Sequence, residues 1–385
     1  MKIPPLPQTC AWLPALREPA RVLEWTLPEW EQSIRLARRL RLLARLGEAV
    51  AAELGLERLP ADAARHLLAE MRRARWQTGA LVWAAERVAS ALADPPYPVV
   101  LLKGAAYVAD GLSIGRGRLP SDLDILVPRA HLDDAQARLT AAGWRETALD
   151  AHDRRYYHEW SHEVPPLRHP QHGLELDLHH NILPPVARLT VDAQRLLERV
   201  RPTPWPGWHA LDPVDQILHS AAHLFQDSDL TDRLRDLVDL DMLCRMQAGV
   251  GAGVGGFWSG LTARALELGL GAPLWLALVF LQAWFDHPVP DAALQSLHPQ
   301  RPGALQRRWL LPALAAALTP VAPDAHPGPG HRVGARVVLM RHHLGRMPLR
   351  LLLPHAWHKL RAGRAKPLAQ AATDAPRPMQ VEDDA

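Results

Sequence analysis

Residues 118–127 have the sequence RLPSDLDILV, which is the segment most informative about the fold. Residues 123–127 form a short apolar run after a proline-containing loop, a pattern typical of a buried strand. Side chains alternate between the two faces of a strand. Asp122 and Asp124 would therefore share one face, while the leucine and isoleucine beside them point into the core. The stretch predicts a strand that carries two neighbouring carboxylates.

A carboxylate pair of this kind favours a divalent cation, because two like charges side by side are costly unless they are neutralised. Mg²⁺ prefers such oxygen ligands and keeps positions for substrate phosphates, and Mn²⁺ is the alternative ion. A third carboxylate usually completes a two-metal site. Residues 174–180, LELDLHH, predict a second strand on which Glu175, Asp177 and His179 share a face. Asp177 is central and is the predicted third carboxylate, although Asp-x-Asp alone also occurs in calcium loops and at solvated edges.

The residues before the carboxylate pair predict a phosphate-binding turn. Residues 99–104, VVLLKG, have the pattern of another buried strand that ends in a turn. Gly104 would let backbone N–H groups approach a phosphate, and Lys103 would supply positive charge. Arg118 would hold a phosphate bidentately. Ser121 would either bind a phosphate or cap the strand entry, and the alternative for Lys103 is a surface lysine at a plain turn.

Helical periodicity predicts a helical region on each side of this segment. Apolar side chains recur at helical spacing in residues 29–54 and in residues 61–93, which predicts one helix in each range. Asp212-Pro213 begins another helical region that extends to about residue 318. Residues 155–164 alternate loosely and would pair with residues 174–180 as a hairpin. The sequence thus predicts an α+β fold, with a small mixed β-sheet core embedded between N-terminal and C-terminal helical regions.

The composition indicates a globular protein. The chain has 385 residues, of which 48% are hydrophobic and 22% charged. The net charge of +3 gives no overall basic character that would favour nucleic acid. No uninterrupted apolar run is long enough to span a bilayer. Cys10 and Cys244 are far apart and predict neither a zinc site nor a disulfide framework, so we expect a reducing cytoplasm.

The order of the motifs carries a resemblance to a known family. A Leu-Lys-Gly strand end, a spacer, RLPSDLDILV, a helix and the Leu-Asp-Leu-His of residues 176–179 follow one another, most tightly over residues 99–182. This order resembles an uncharacterised bacterial nucleotidyltransferase family of the DNA polymerase beta-like nucleotidyltransferase superfamily. The resemblance implies attack by an acceptor hydroxyl on the α-phosphorus of a nucleoside triphosphate, with release of pyrophosphate. By position, Asp122 and Asp124 match the metal-binding pair and Asp177 matches the third carboxylate.

The chain departs from the superfamily pattern at one turn. The usual Gly-Ser appears here as Gly104-Ala105, so a serine hydroxyl that would contact a phosphate is missing. A catalytically inactive binding or regulatory protein with the same fold is therefore the alternative to a metal-dependent enzyme that uses ATP or another triphosphate. The acceptor is not identified by the residues, and nucleic acid is not expected.

Five segments are expected along the chain. They are an N-terminal helical region (1–95), the nucleotidyltransferase core (96–200), a C-terminal helical region (201–318), a linker with a basic amphipathic segment (319–366) and a disordered tail (367–385). Residues 325–373 contain nine Lys or Arg and no acidic residue. We expect the basic segment to pack as amphipathic helices, and peripheral membrane contact through residues 331–366 is the alternative.

Two helical pairs after residue 212 are further candidates. His219 and His223 lie four residues apart, which predicts a helix–sheet contact or an acceptor-pocket role rather than zinc binding, because the HExxH-type glutamate is absent. Arg235 and Asp239 are also four apart, and a structural ion pair between them is expected.

Overall fold

A computed structural model describes residues 3–147, 157, 160–171, 173–249 and 253–346. The N-terminal region begins with short 3-10 helices at Gln8–Cys10, Leu13–Leu16 and Pro19–Glu24. Three α-helices follow, α1 (Leu27–Arg39), α2 (Leu43–Glu53) and α3 (Ala61–Ala91). The predicted helical character of this region is confirmed.

The expected single helix over residues 29–54 is wrong, because the chain turns between α1 and α2. Arg41 has a φ of 56°, in the left-handed region, which ends α1 and redirects the backbone. A single straight helix over residues 29–54 could bury its apolar side chains along only one face. After the turn, α2 packs along α3 and its Leu43, Leu46 and Val50 are fully buried.

Within the described residues the sheet has seven strands, in the order β3-β4-β5-β2-β1-β7-β6. The strands are β1 (Val100–Leu101), β2 (Asp122–Leu126), β3 (Arg145–Glu146), β4 (Leu167–Arg168), β5 (Glu175–His179), β6 (Arg201–Pro202) and β7 (His209–Ala210). β2 pairs with β1 antiparallel and with β5 in parallel, so the two predicted carboxylate strands are direct neighbours. The expected α+β class with a small mixed sheet is confirmed.

The predicted hairpin partner of β5 is different. β4 forms the antiparallel hairpin with β5, whereas Glu163 makes only an isolated antiparallel bridge to His179. Tyr157 and Trp160 are helical, and the rest of residues 155–159 lies outside the described part of the chain. In the described part of residues 155–164, the loose alternation therefore did not correspond to a paired strand.

Helices surround the sheet and make up the C-terminal region. The sheet segments are connected by α4 (Lys103–Ala109), α5 (Leu132–Ala141), α6 (Ala193–Leu197) and short 3-10 helices. The C-terminal helices are α7 (Pro213–Gln226), α8 (Leu234–Ala248), α9 (Gly253–Glu267), α10 (Gly271–Phe285), α11 (Asp291–Ser296), α12 (Ala304–Leu318) and α13 (Pro329–Arg346). The predicted start of α7 is confirmed, since the Asp212 side chain accepts a hydrogen bond from the Val214 N–H at 2.9 Å and Pro213 is the first helical residue.

One continuous apolar cluster joins these elements, from Cys10 near the N-terminus to Val338 in α13. The basic helix α13 packs along α12, as expected for part of the basic segment; residues 347–366 of that segment lie outside the described residues. Within the part of the chain that the structure describes, no helix is long and apolar enough to cross a bilayer.

Candidate active site

Three carboxylates meet at the centre of the sheet. In the parallel pairing of β2 with β5, Asp124 lies directly opposite Asp177, and Asp122 lies one pleat away on the same face. Asp122, Asp124 and Asp177 each offer one oxygen within 4.8 Å of the others. Asp124 is buried and the other two are half-buried. The arrangement fits a divalent cation, because carboxylate oxygens are the ligands such ions prefer.

Asp124 is the best neutralised of the three. The ammonium Nζ of Lys103 lies 3.4 Å from Asp124 Oδ1, and the imidazole Nε2 of His179 lies 3.1 Å from the same oxygen. Lys103 has a φ of 45°, a left-handed conformation that costs a non-glycine residue free energy and persists only where the surroundings hold it. The lysine predicted at the strand end thus contacts one carboxylate of the pair, Asp124, directly.

The three carboxylates differ in their pKa values. Burial acts to raise the pKa of Asp124, but Lys103 and the hydrogen bond from His179 outweigh it and hold this pKa below its usual range. Burial and the charge of Asp124 raise the pKa of Asp122. The same two causes raise the pKa of Asp177 to about 7. Asp122 and Asp177 are thus the groups whose charge most needs a cation.

The carboxylates open into a cavity of about 720 Å³. All seven site residues predicted from the sequence line it: Lys103, Gly104, Arg118, Ser121, Asp122, Asp124 and Asp177. Residues of α7, of α8 and of the loop between them also line it. A cavity of this size accommodates a ligand as large as a nucleotide.

One part of the wall is rich in arginines. Arg41, Arg118 and Arg235 line it, and Arg41 pairs with none of the described acidic residues. Burial and the nearby charge of Arg118 lower the pKa of Arg235, with a further contribution from Arg41. Two of these charges are partly neutralised, since Arg118 pairs with Asp239 and Arg235 contacts Asp236 at 3.5 Å. The positive charge of Arg41 favours an anionic ligand in this part of the cleft.

Arg118 is held in place by Asp239. The two side chains form a buried ion pair, and the other oxygen of Asp239 accepts a hydrogen bond from Arg45 Nη1 at 2.8 Å. The expected Arg235–Asp239 ion pair is wrong, since Asp239 points to Arg45 and Arg118 instead. Helical spacing brings Arg235 and Asp239 to one face, but the desolvated arginines from other segments compete better for the carboxylate.

Two glycines in this region allow close approach of other groups. A Cβ at Gly104 would lie 2.8 Å from Arg118 Nε, so a side chain there would displace the arginine. Gly117 has a φ of 64°, and a Cβ there would lie 2.6 Å from the backbone N of Arg45. The loop before β2 can therefore reach α2 only with glycine at this position.

The serine and the two histidines predicted as candidates differ in their contacts with the cavity. Ser121 Oγ donates to Asp122 Oδ1 at 3.3 Å, so its phosphate contact stays a prediction. His223 lines the cavity, consistent with the acceptor-pocket alternative, and the ring of His219 lies 6.4 Å from it. The charge of Lys103, followed by burial, holds the pKa of His223 well below its usual range.

Several cavity residues were not expected from the sequence. Glu163 and His162 lie beside His179, Arg41 lies at the turn between α1 and α2, and Gln226 lies at the end of α7. These positions are far from the carboxylates along the chain, and no spacing motif marks them. The positive φ at Arg41 depends on the helix break, which apolar periodicity concealed.

A comparison with family models assigns the chain to a class of protein, the nucleotidyltransferases. The model of an uncharacterised nucleotidyltransferase family matches residues 26–286, which is more than half of the chain. The chain therefore belongs to this uncharacterised nucleotidyltransferase family. No curated protein and no solved structure matches the chain.

Proposed function

We propose that the protein is a metal-dependent nucleotidyltransferase that transfers a nucleoside monophosphate from a triphosphate to an acceptor hydroxyl. The acceptor oxygen forms a bond to the α-phosphorus, the bond to the β-phosphate bridging oxygen breaks, and pyrophosphate leaves. The observation that carries this proposal is the convergence of Asp122, Asp124 and Asp177 at one edge of a cavity of about 720 Å³. Membership of the nucleotidyltransferase family supports the same reaction class.

The carboxylates would hold Mg²⁺, or Mn²⁺, on Asp122, Asp124 and Asp177. When bound there, the ion would neutralise the charge on the phosphate oxygens and orient the reacting groups. Lys103 is within 3.4 Å of Asp124, so its ammonium keeps this carboxylate oriented beside its neighbours. Asp177 serves as the third ligand or accepts the proton of the acceptor hydroxyl.

The arginine-rich wall would bind the triphosphate. Lys103, Gly104, Arg118 and Ser121 line the cavity beside the carboxylates, and Arg41 and Arg235 extend the positive surface. A guanidinium can contact two phosphate oxygens at once, which suits the β- and γ-phosphates. Arg118 is preoriented by Asp239 and by the ring of Tyr107, whose centroid lies 5.5 Å from the guanidinium carbon. ATP is the first triphosphate to test.

The acceptor would bind at the apolar part of the cavity lining. This part is formed by residues between β5 and α6, namely Ile182, Leu183, Pro184, Ala187 and Leu189. We place the reaction in the cytoplasm, and the absence of a disulfide supports this, since Cys10 and Cys244 are both buried and free.

The decisive experiment measures pyrophosphate release from labelled triphosphates in the presence of a metabolite extract and Mg²⁺. We expect the double variant Asp122→Asn/Asp124→Asn to release pyrophosphate at least ~10²-fold more slowly than the wild type, because it lacks the pair that holds the ion. Glu175→Gln is the matched control. Glu175 lies on the same strand as Asp177 but pairs with Arg168 and does not line the cavity.

Equal release from the wild type and the double variant would exclude the carboxylates from catalysis. Isothermal titration with Mg²⁺ and each triphosphate tests the alternative, a binding or regulatory protein without activity, which the Gly104-Ala105 turn favours. Triphosphate binding without turnover would support that alternative. If no triphosphate binds, the proposed nucleotidyltransferase activity is excluded.

A surface of α13 favours a second property, contact with an anionic membrane. Val333, Leu339, Met340 and Leu344 are exposed apolar residues on this helix, among Arg332 and Arg336. Apolar side chains interspersed with arginines are typical of helices that bind at the lipid interface. Flotation with vesicles containing phosphatidylserine tests the contact. We expect the double variant Arg332→Glu/Arg336→Glu to lose binding to these vesicles. Vesicles of neutral lipid should bind neither the wild type nor the variant.

A further inference from the structure

A second group of potential metal ligands lies beside the carboxylates. His162, Glu163 and His179 each offer one nitrogen or oxygen, and these atoms lie within 4.8 Å of one another. Glu163 Oε2 is central, 3.3 Å from His179 Nδ1 and 4.0 Å from His162 Nε2. All three residues line the cavity.

The contacts of His179 fix its orientation. Its Nε2 lies 3.1 Å from Asp124 Oδ1, and an ionised carboxylate can only accept, so Nε2 carries the hydrogen. In the neutral ring Nδ1 is then an acceptor. Nδ1 is buried and has no hydrogen-bond partner among the described residues, although Glu163 Oε2 is only 3.3 Å away. The ring is 4% exposed, so water does not readily compensate for the missing partner.

A metal ion accounts for this arrangement better than a proton does. A proton on Nδ1 would have to lie in the ring plane, and the contact with Glu163 does not have hydrogen-bond geometry. A metal ion, unlike a hydrogen-bonded proton, can bind both His179 Nδ1 and Glu163 Oε2 while lying to one side of the line that joins them. A ligand histidine usually donates its other N–H to a carboxylate, and the His179–Asp124 contact has this form.

The distances suit a tetrahedral ion. Zn²⁺ bonds of about 2.0–2.2 Å to nitrogen and oxygen put neighbouring ligand atoms roughly 3.3–3.5 Å apart. The His179–Glu163 distance of 3.3 Å already satisfies this, and the His162–Glu163 distance of 4.0 Å requires a small movement of His162. Two imidazoles and one carboxylate are a ligand set that Zn²⁺ uses with a fourth, open position.

We propose that His162, Glu163 and His179 form a zinc site with its open coordination position toward the cavity. It is distinct from the all-oxygen site of Asp122, Asp124 and Asp177, and it is joined to that site by the contact between His179 and Asp124. The zinc site would add a side-chain link between residues 162–163 and β5, next to the backbone bridge of Glu163 to His179 and the hydrogen bond from the His180 N–H to the His162 carbonyl oxygen at 2.8 Å. It does not depend on the nucleotidyltransferase reaction.

The test measures zinc binding to the full chain without an affinity tag. Protein treated with a chelator is titrated with Zn²⁺ in excess Mg²⁺, which occupies the carboxylate site, and bound zinc is determined by calorimetry and by mass spectrometry of the metal. We expect one zinc per chain. His162→Ala and Glu163→Gln should each weaken zinc binding by at least ~10²-fold, since even loss of a residue that orients a ligand costs 10–100-fold.

Two controls separate this site from others. His298→Ala removes an exposed histidine that does not line the cavity, and zinc binding should be unchanged. Asp122→Asn should weaken Mg²⁺ binding and leave zinc bound, so failure of the carboxylate site and failure of the zinc site are distinguishable. Circular dichroism confirms that each variant is folded, and Glu163→Gln preserves side-chain size.

Three results would overturn the proposal. They are no zinc bound by the wild type at saturating free zinc, zinc binding that survives both His162→Ala and Glu163→Gln, and loss of zinc in Asp122→Asn. The third result would place the zinc on the carboxylates. Co²⁺ gives an independent readout, because a tetrahedral site with nitrogen ligands absorbs visible light far more strongly than an octahedral oxygen site does.

Discussion

Asp239 joins three segments that are far apart in the sequence. Its side chain binds Arg45 from α2 and Arg118 from the loop before β2, while Arg45 Nη2 also donates to the carbonyl oxygen of Ile114 at 2.7 Å. Arg45 and Asp239 are buried, and Arg118 is half-buried. Burial acts to raise the pKa of Asp239, but Arg118 and Arg45 outweigh it and lower this pKa. The position of Arg118 in the cavity therefore depends on this carboxylate.

Replacing Asp239 should destabilise the protein strongly. We expect Asp239→Asn to lower the free energy of unfolding by about 3–5 kcal/mol, because it leaves the buried guanidinium of Arg45 and the half-buried guanidinium of Arg118 without their counter-charge. Urea denaturation followed by circular dichroism measures the change. Glu18→Gln is the control, since Glu18 pairs with Arg21 at the surface and such pairs contribute at most about 1 kcal/mol. Similar losses in both variants would contradict the structural role of Asp239.

Individual site residues were predictable where they follow strand alternation. Asp122, Asp124 and Asp177 could be assigned to common faces because side chains alternate along a strand. The partners of Arg118 and His179 could not be assigned, because Asp239 and Glu163 reach them across the fold and follow no local period. The four-residue spacing between Arg235 and Asp239 predicted the wrong partner for Asp239.

Helical regions with a strong 3.6-residue periodicity were predicted correctly. The position at which one helix ends and the next begins was not. The helical region before residue 95 and the start of α7 were identified, whereas the turn at Arg41 was missed. The apolar positions of α1 and α2 continue with nearly the same spacing across the turn. A left-handed residue that is not glycine gives no compositional signal.

The contact between α12 and α13 depends on Gly334. A Cβ at this position would lie 2.6 Å from the carbonyl oxygen of Ala313, so the two helices can approach only because the side chain is absent. We expect Gly334→Ala to destabilise the helix contact by about 1–3 kcal/mol through overpacking. Thermal unfolding and amide hydrogen exchange in α13 measure this loss.

Gly330→Ala is the matched control for this change. Gly330 lies in the first turn of α13, and a Cβ there would meet nothing within 4 Å. This variant should keep or slightly raise the stability, since alanine is the better helix former. Equal destabilisation at both positions would show that helix propensity, and not the contact with α12, determines the effect.

At the scale of the whole molecule, one apolar core links the regions that the sequence divides. The expected division into segments 1–95, 96–200 and 201–318 stays a prediction. The core cluster contains residues from all three, such as Leu46, Leu123 and Leu278. A chain of this length often splits into separate cores.

The shared core leads us to expect a single cooperative unfolding transition. In scanning calorimetry the calorimetric and van't Hoff enthalpies should agree. The isolated segment 96–200 should show no cooperative transition, because its apolar side chains would lose the helices that cover them. Two resolved transitions in the full chain, or a folded isolated segment, would show instead that the regions are independent domains.

The α+β class, the helical flanks, the two carboxylate strands and the residues that share their faces were all predictable from local sequence patterns. These features follow from periodicity of 2 or 3.6 residues, which acts within a few residues of chain. Only the tertiary structure decided that Asp124 lies opposite Asp177 in a parallel pair, that Asp239 holds Arg118, and that Glu163 faces His179. Each of these contacts joins segments distant in sequence, and their relative placement comes from packing of the whole core. The cluster of three carboxylates was therefore predictable from the sequence, whereas the neighbouring cluster of His162, Glu163 and His179 is apparent only in the folded chain.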